Sequence, residues 1–321
     1  MAACLLAACF GPVSANGQTE LWGENGAAWQ PGSPLPEFSF VGYHRGDKAI
    51  PNPEPEIAVT DFGAVGDGET DCTAAFQRAL SEAGGKAIRI PEGTWVISDR
   101  LRLSEAGTVL VGEGTEKTIL LFTKGLQEIE PTSATTGGGM QTTQWSWSGG
   151  LITLGNSSKA AGSGGTPITS EAQRGQSSFE VEDPSLFEPG THCVVEITDS
   201  PERTLLDYAH RGRPGDLSLM LRSRFSLSQP LTVSKVEGNR VTVEQRLRFD
   251  LRGSWSPVLT PMNNRAQELG IADFTIRFPE EPYRGHWLED GMNGFEIRGV
   301  NNWARDIRIQ NSDSGAFTTG T

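Results

Sequence analysis

Residues 59–80 read VTDFGAVGDGETDCTAAFQRAL, and the order of residue types in this stretch decides the fold. A short strand, 57–59, runs into a turn built from Asp61, Gly63, Gly66, Asp67 and Gly68. Glycine lets the backbone take positive φ, and aspartate folds back onto nearby amides. A helix follows, with Asp71 placed to accept the free amides of its first turn. Cys72, Phe76, Ala79, Leu80 and Ala83 recur at helical spacing on one face. Gly84-Gly85 then supplies a left-handed stop. Only brief β-rich runs come next: AIRI (87–90), TWVIS (94–98), LRL (101–103), TVLVGEG (108–114) and TILLF (118–122).

One amphipathic helix ahead of many short strands is the pattern of an end cap. A stack of strands left open at one end exposes apolar rungs and unpaired edges, and a single helix covers them. DFGAVGDGETDCTAAFQRAL followed by IRIPEGTWVIS resembles the N-terminal signature of the pectate-lyase-like superfamily, in its rhamnogalacturonase, epimerase and tailspike group. That resemblance implies an all-β fold: a right-handed parallel β-helix with an N-terminal capping helix and a small inserted β subdomain.

Two other readings of the same stretch fail on their chemistry. Asp61, Asp67 and Asp71 look like a cluster of metal-binding carboxylates, but turn and cap hydrogen bonding accounts for all three. GAVGDG has neither the Lys-Ser/Thr ending of a phosphate-binding loop nor the GxGxxG spacing.

The 321 residues carry a net charge of −13, which argues against nucleic acid and against an anionic membrane surface. After the N-terminus no run is long and apolar enough to span a bilayer. Residues 1–15 read as a signal peptide cut after Ala15, or as a lipoprotein leader with Cys9 as the lipidated residue. The protein is therefore expected to be secreted, periplasmic or at the cell surface. Without the leader, Cys72 and Cys193 remain, and Cys72 reads as a small core residue.

Residues 16–56 read as an extended arm over the first rungs, anchored by Trp22, Trp29, Phe38, Phe40 and Tyr43. The cap and first rungs occupy 57–170. Within them Trp145 and Trp147 either stack on sugar rings or plug the gap between rungs, and the plug is expected. Residues 171–260 form the inserted subdomain, with strand-like runs at 178–183, 192–198, 231–245 and 247–251 and a hairpin turning at Glu237-Gly238-Asn239. Two readings stand for its Arg211, Arg213, Arg222 and Arg224: they face an anionic substrate, or they form a solvated face. Residues 261–321 resume the β-helix. Alternation there points Phe274, Ile276, Phe278, Phe295, Ile297, Ile307 and Ile309 inward, and Asp273, Thr275, Arg277, Glu296, Arg298, Asp306, Arg308 and Gln310 outward. The pattern stops at Thr321 with no C-terminal cap, so truncation is expected, with most of the family's catalytic rungs lying further on.

The resemblance implies an acidic polysaccharide as partner and no nucleic acid. It leaves two classes open: a secreted lyase or glycoside hydrolase, or a non-catalytic carbohydrate-binding, tailspike-like β-helix. A lyase removes the proton α to a uronate carboxylate, using a base and a Ca²⁺ or arginine to neutralise the carboxylate. A hydrolase needs two carboxylates. Residues 283–294, YRGHWLEDGMNG, are the richest in such groups. The candidate catalytic residues are His286, Asp306 and Asp313. Asp313 lies in NSDSG, which is similar to the Asn-x-Asp turn that carries an acid in the hydrolase branch. The candidate binding residues are Tyr283, Trp287 and Trp303, the tryptophans for stacking, and a row of Arg277, Arg298 and Arg308, for carboxylates. No metal ligand is assigned; Ca²⁺ is the cofactor expected if the activity is that of a lyase.

Overall fold

The computed structural model describes residues 23, 26–33, 35, 41–155, 164–215, 225–262 and 266–318. The leader and the expected anchors Trp22, Phe38 and Phe40 lie outside the described residues, as do Arg222 and Arg224. The strands before the insert are β1 (Ile57–Ala58), β2 (Asp67–Asp71), β3 (Ala87–Arg89), β4 (Gly93–Ile97), β5 (Leu101–Leu103), β6 (Val109–Val111), β7 (Thr118–Phe122), β8 (Ala134–Thr135), β9 (Gln141–Thr142) and β10 (Ile152–Leu154). The insert holds β11 (Thr166–Pro167), β12 (Ser178–Glu180), β13 (His192–Thr198), β14 (Ser226–Glu237), β15 (Arg240–Val243) and β16 (Val258–Pro261). After it come β17 (Gly270–Arg277), β18 (Asn293–Ile297), β19 (Trp303–Gln310) and β20 (Ser314–Thr318). The helices are α1 (Thr73–Glu82), α2 (Leu126–Ile129) and α3 (Thr204–Ala209).

Outside the insert, all the strands but the small β8–β9 hairpin pair in parallel and fall into three rows. The first row stacks β1, β3, β6 and the opening residues of β17 and β19. The second stacks β2, β4, β7 and the closing residues of the same two strands. The third stacks β5, β10, β18 and β20. Each coil visits the rows in that order, so the chain is a parallel β-helix. In the first coil α1 follows β2 and lies against β5, taking the place of a third-row strand. Its buried face is Cys72, Phe76, Ala79, Leu80 and Ala83, as its spacing predicts. Asp71 closes β2 rather than forming part of the helix, and its carboxylate accepts the Thr73 amide at 2.9 Å.

The corners depend on left-handed residues. Two residues ahead of β3, β6, β17 and β19 stand Gly85, Gly107, Glu268 and Asn301, with φ of 83, 83, 59 and 54°. Between the first and second rows stand Asp273 and Asp306, at 64 and 48°. A left-handed residue uses one position to turn, so the inward set shifts from Leu269 and Ile271 to Phe274 and Ile276 within one strand. These side chains join Leu110, Leu120, Phe122, Leu154 and Phe295 in one core.

The outward set expected from simple alternation needs correction. Thr275 and Glu296 are buried, at 1 and 0% exposure. Thr275 donates to the Thr115 carbonyl at 2.6 Å. Arg298 donates to Glu296 at 2.7 Å, and Arg100 bridges Glu130 and Thr153 at 2.7 and 2.9 Å. The arm also crosses more than the first rungs. Tyr43 donates to Glu268 at 2.5 Å, the His44 amide to Asn301 at 3.2 Å, and Arg305 to the Pro51 carbonyl at 2.8 Å.

The insert is a six-stranded antiparallel sheet in the order β11-β16-β13-β14-β15-β12, running from Thr166 to Pro261. Gly238, at φ 59°, turns the β14–β15 hairpin. Residues 247–251 form no strand, only an isolated bridge from Leu251 to Ala172, although Leu247, Phe249 and Leu251 are buried. Cys72 and Cys193 are free thiols in two separate cores, so they cannot pair with each other.

Candidate functional site

Two loops leave the β-helix at the same edge, between the second and third rows. One joins β7 to β10 and the other joins β17 to β18 in the next coil. They are sewn together by hydrogen bonds. The Leu126 and Gln127 amides donate to the Gly291 and Asp290 carbonyls at 3.0 and 2.9 Å. Thr142 Oγ1 donates to the Trp287 carbonyl at 2.8 Å, and Asn293 Nδ2 to the Trp145 and Ser148 carbonyls at 2.8 and 3.0 Å. Gly291 takes φ 79°, and a Cβ there would lie 2.7 Å from the Trp145 Cβ. Trp145 is thus the expected plug: it is 9% exposed and donates to the Glu130 carbonyl at 2.8 Å.

Trp147 is not a plug. It is 42% exposed and meets Trp287 edge to face, with ring centroids 5.5 Å apart. The His286 ring also packs on Trp287, with centroids 4.0 Å apart. Tyr283, 62% exposed, donates to Glu289 Oε1 at 2.9 Å, and His286 Nδ1 stands 3.5 Å from the same oxygen. Glu289 is buried and its Oε2 has no hydrogen-bond partner. Burial opposes its ionisation, but its own backbone amide and Tyr283 outweigh that and hold the carboxyl below the usual range. The hydrogen bond to Glu289 in turn raises the Tyr283 phenol above its ordinary value. The edge therefore presents two indole faces beside a phenol and an imidazole that converge on one buried carboxylate.

The other residues picked from sequence are distributed elsewhere. Asp313 lies beneath this loop, and its Oδ2 accepts the Asp290 and Met292 amides at 3.0 and 2.9 Å, which fixes the turn. Asp306 is the left-handed corner of β19, 3.6 Å from Arg305, and no contact joins it to Asp313 among the described residues. Trp303 is 3% exposed and packs with Ala87, Val109, Val111 and Ala272, where Gly270 leaves room, so it offers no face to a sugar. The arginine row does not form. Arg298 follows β18 in the third row, while Arg277 and Arg308 lie on β17 and β19. Thr275, not Arg277, stands opposite Arg308. Arg277 donates to Gln310 at 2.8 Å, and Arg308 pairs with Glu116 at 2.6 Å. Glu289 lies in the loop that the sequence singles out, but no spacing marks it as the shared partner of Tyr283 and His286. Among the described residues no group of three His, Cys, Asp or Glu side chains is placed to hold a metal ion, and no helix is long and apolar enough to cross a membrane.

Residues 57–159 match the family model described as Rhamnogalacturonase A/epimerase, pectate lyase-like. Two curated proteins are similar over short stretches. A pre-neck appendage protein of Bacillus phage B103 is 35% identical over 66 residues, covering 21% of this chain and 7% of that protein. Alginate lyase 7 of Azotobacter vinelandii is 34% identical over 82 residues, covering 23% of this chain and 10% of that protein. The chain thus aligns with a tenth or less of the length of either. Among solved structures, the Gp54 tailspike of Acinetobacter baumannii bacteriophage AP22, in complex with a capsular saccharide, superposes with a TM-score of 0.45 at 14% identity, covering 79% of this chain and 37% of that one. The family match spans the capping helix and the parallel strands around it, so over residues 57–159 the chain is similar to the pectate-lyase-like superfamily.

Proposed function

We propose that the protein binds an acidic polysaccharide along the edge between the second and third rows, and that this edge carries proton-transfer chemistry of the lyase type. The observation that carries the reading is the pairing of exposed Trp147 with half-buried Trp287, set beside Tyr283 and His286 over the buried Glu289. Solvent-accessible indoles in one cluster suit the apolar faces of sugar rings. In β-elimination a base takes the proton α to the uronate carboxylate, the carbon–oxygen bond to the leaving sugar breaks, and an acid protonates the departing oxygen. Tyr283 keeps its proton at neutral pH and fits the acid. His286, oriented by Glu289, fits the base. The hydrolase alternative finds less support, because Asp313 is engaged by backbone amides and Asp306 forms a corner.

The test is binding and turnover of oligogalacturonate and oligomeric alginate. Trp147→Ala with Trp287→Ala should weaken binding at least about tenfold, since buried aromatic anchors carry much of an interface's energy. Tyr283→Phe should spare binding and abolish release of unsaturated product. Unchanged binding in the double tryptophan variant would remove the site from this edge. Tight binding with no product from the parent protein would leave the attachment reading in place of the enzymatic one.

A further inference from the structure

The insert holds a cavity of its own, on α3 and the strands beside it. It encloses about 1150 Å³, beyond the range of about 300–1,000 Å³ typical of small-ligand pockets. Arg174, Arg203, Arg211, Arg248 and Arg252 line it, against the two carboxylates of Glu202 and Asp207. In a chain of net charge −13 this concentration of arginine runs against the composition, and a concave wall with an excess of positive charge focuses its field on anions.

The guanidinium groups are arranged rather than scattered. Arg252 donates to Asp250 at 2.8 Å and lies over the rings of Trp255 and Tyr208, at 4.5 and 5.2 Å from their centroids. Arg174 donates to the Leu35 carbonyl at 2.6 Å and lies 5.8 Å over Trp29. Arg203 and Arg211 bracket α3 with φ of 61 and 53°, a conformation unfavourable for any residue with a side chain. Such strain persists only where the surroundings fix it, and it concentrates at functional sites. Here the buried Leu205 and Leu206 anchor α3. Arg203 makes no ion pair among the described residues. Tyr208 and Phe249 add apolar surface to the wall.

We propose that this cavity binds a carboxylate-bearing oligosaccharide, as a second contact separate from the tryptophan pair. Forked guanidinium groups match carboxylates in two-point hydrogen bonds. Charged and apolar lining spread through this volume suits a chain of sugars better than an isolated anion. The inference takes its ligand class, acidic glycan, from the function proposed above.

The experiment is titration calorimetry of the full chain with hexagalacturonate at low and high salt. Its partner is Arg203→Gln with Arg211→Gln, two exposed positions outside both cores, and an unchanged Tm checks that the fold is kept. The expected result is a loss of affinity of about tenfold or more, with a shallower salt dependence. The same loss should appear when the two changes are made on the Trp147→Ala, Trp287→Ala background. Parent-like affinity and salt slope in the arginine variant overturn the inference, even if the tryptophan variant loses binding. A loss confined to the arginine variant supports the inference and defeats the tryptophan site. Inorganic phosphate binding the parent chain as tightly as the hexamer overturns the glycan assignment.

Discussion

The β-helix and the insert solve the same burial problem in opposite ways. In the β-helix each coil contributes a few side chains, such as Leu110, Phe274 and Ile276, and no coil encloses a core alone. Its strands meet partners distant in sequence, as when β6 joins β17 across the whole insert. The insert closes its own core, around Trp255, Phe179, Val195 and Leu231, among strands that all lie within 166–261 and pair only with one another. The stack should therefore behave as a chain of neighbour-dependent units, while the insert should open as one unit.

Two core truncations give the largest expected effects and the sharpest test. Phe274→Ala and Trp255→Ala each remove a fully buried ring, and each should cost about 3–5 kcal/mol. The costs should differ in where they fall. With Phe274→Ala, amide hydrogen exchange should quicken in β6, β7 and β19, the strands paired with β17. With Trp255→Ala it should quicken across 166–261 and leave β3 to β7 protected. Exchange spreading from Trp255→Ala into β3 to β7 would show that the insert is not a unit of its own.

The same contrast explains what the sequence reveals. The cap is legible because its chemistry is local: Asp71, the α1 stripe and Gly84-Gly85 all act within a few residues. The insert's hairpin at Gly238-Asn239 is legible for the same reason. The first and second rows of the late coils are not, because the corners between them are Asp273 and Asp306 rather than glycine, and GIADFTIRF reads as one unbroken strand. The signal is present as a gap of three within the alternation, Ile271 to Phe274 and Ala304 to Ile307. Sequence alone also does not separate the second row, which holds Arg277 and Arg308, from the third, next to Arg298, and so joins in one row arginines that lie in two sheets. Trp303 fails as a sugar platform for a related reason: only the register shows that Gly270, the residue beneath it, leaves space for its ring.

Close approach between coils is a mid-sized effect that belongs to the stack alone. Gly150 lies against β18, where an added Cβ would meet the Glu296 amide nitrogen at 2.4 Å. Gly150→Ala should cost about 1–3 kcal/mol through backbone displacement. Gly253 in the insert has open space around it, and Gly253→Ala should change stability by less than about 0.5 kcal/mol. Denaturant midpoints of the two variants check this directly, and equal losses would contradict the close-packed account of the coils. Asp71→Ala comes next, at about 0.5–2 kcal/mol for the lost first-turn acceptor. Retention of the parent midpoint would mean that water serves the Thr73 amide equally well.

The smallest effect sets one aspartate turn in each region against the other as pH falls. In the β-helix cap, Asp67 accepts the Glu69 and Thr70 amides at 2.9 and 2.8 Å and the Thr70 hydroxyl at 2.7 Å. The Thr70 and Glu69 amides lower its pKa from 3.8 to about 2. In the insert, Asp183 accepts the Ser185 hydroxyl at 2.6 Å and amide at 3.0 Å, and those bonds also lower its pKa. A depressed folded-state pKa means that the unfolded chain takes up the proton first. The stabilisation from each turn is therefore complete above the unfolded value and is lost as pH falls through the folded one. For Asp67 that window runs from 3.8 down to about 2. Protection of the Thr70 amide should fall within it in the parent protein and lose its pH dependence in Asp67→Asn. Protection of the Ser185 amide should respond to Asp183→Asn and not to Asp67→Asn. A response of both turns to either substitution would tie the two regions into one acid transition, against the separate openings that their packing implies.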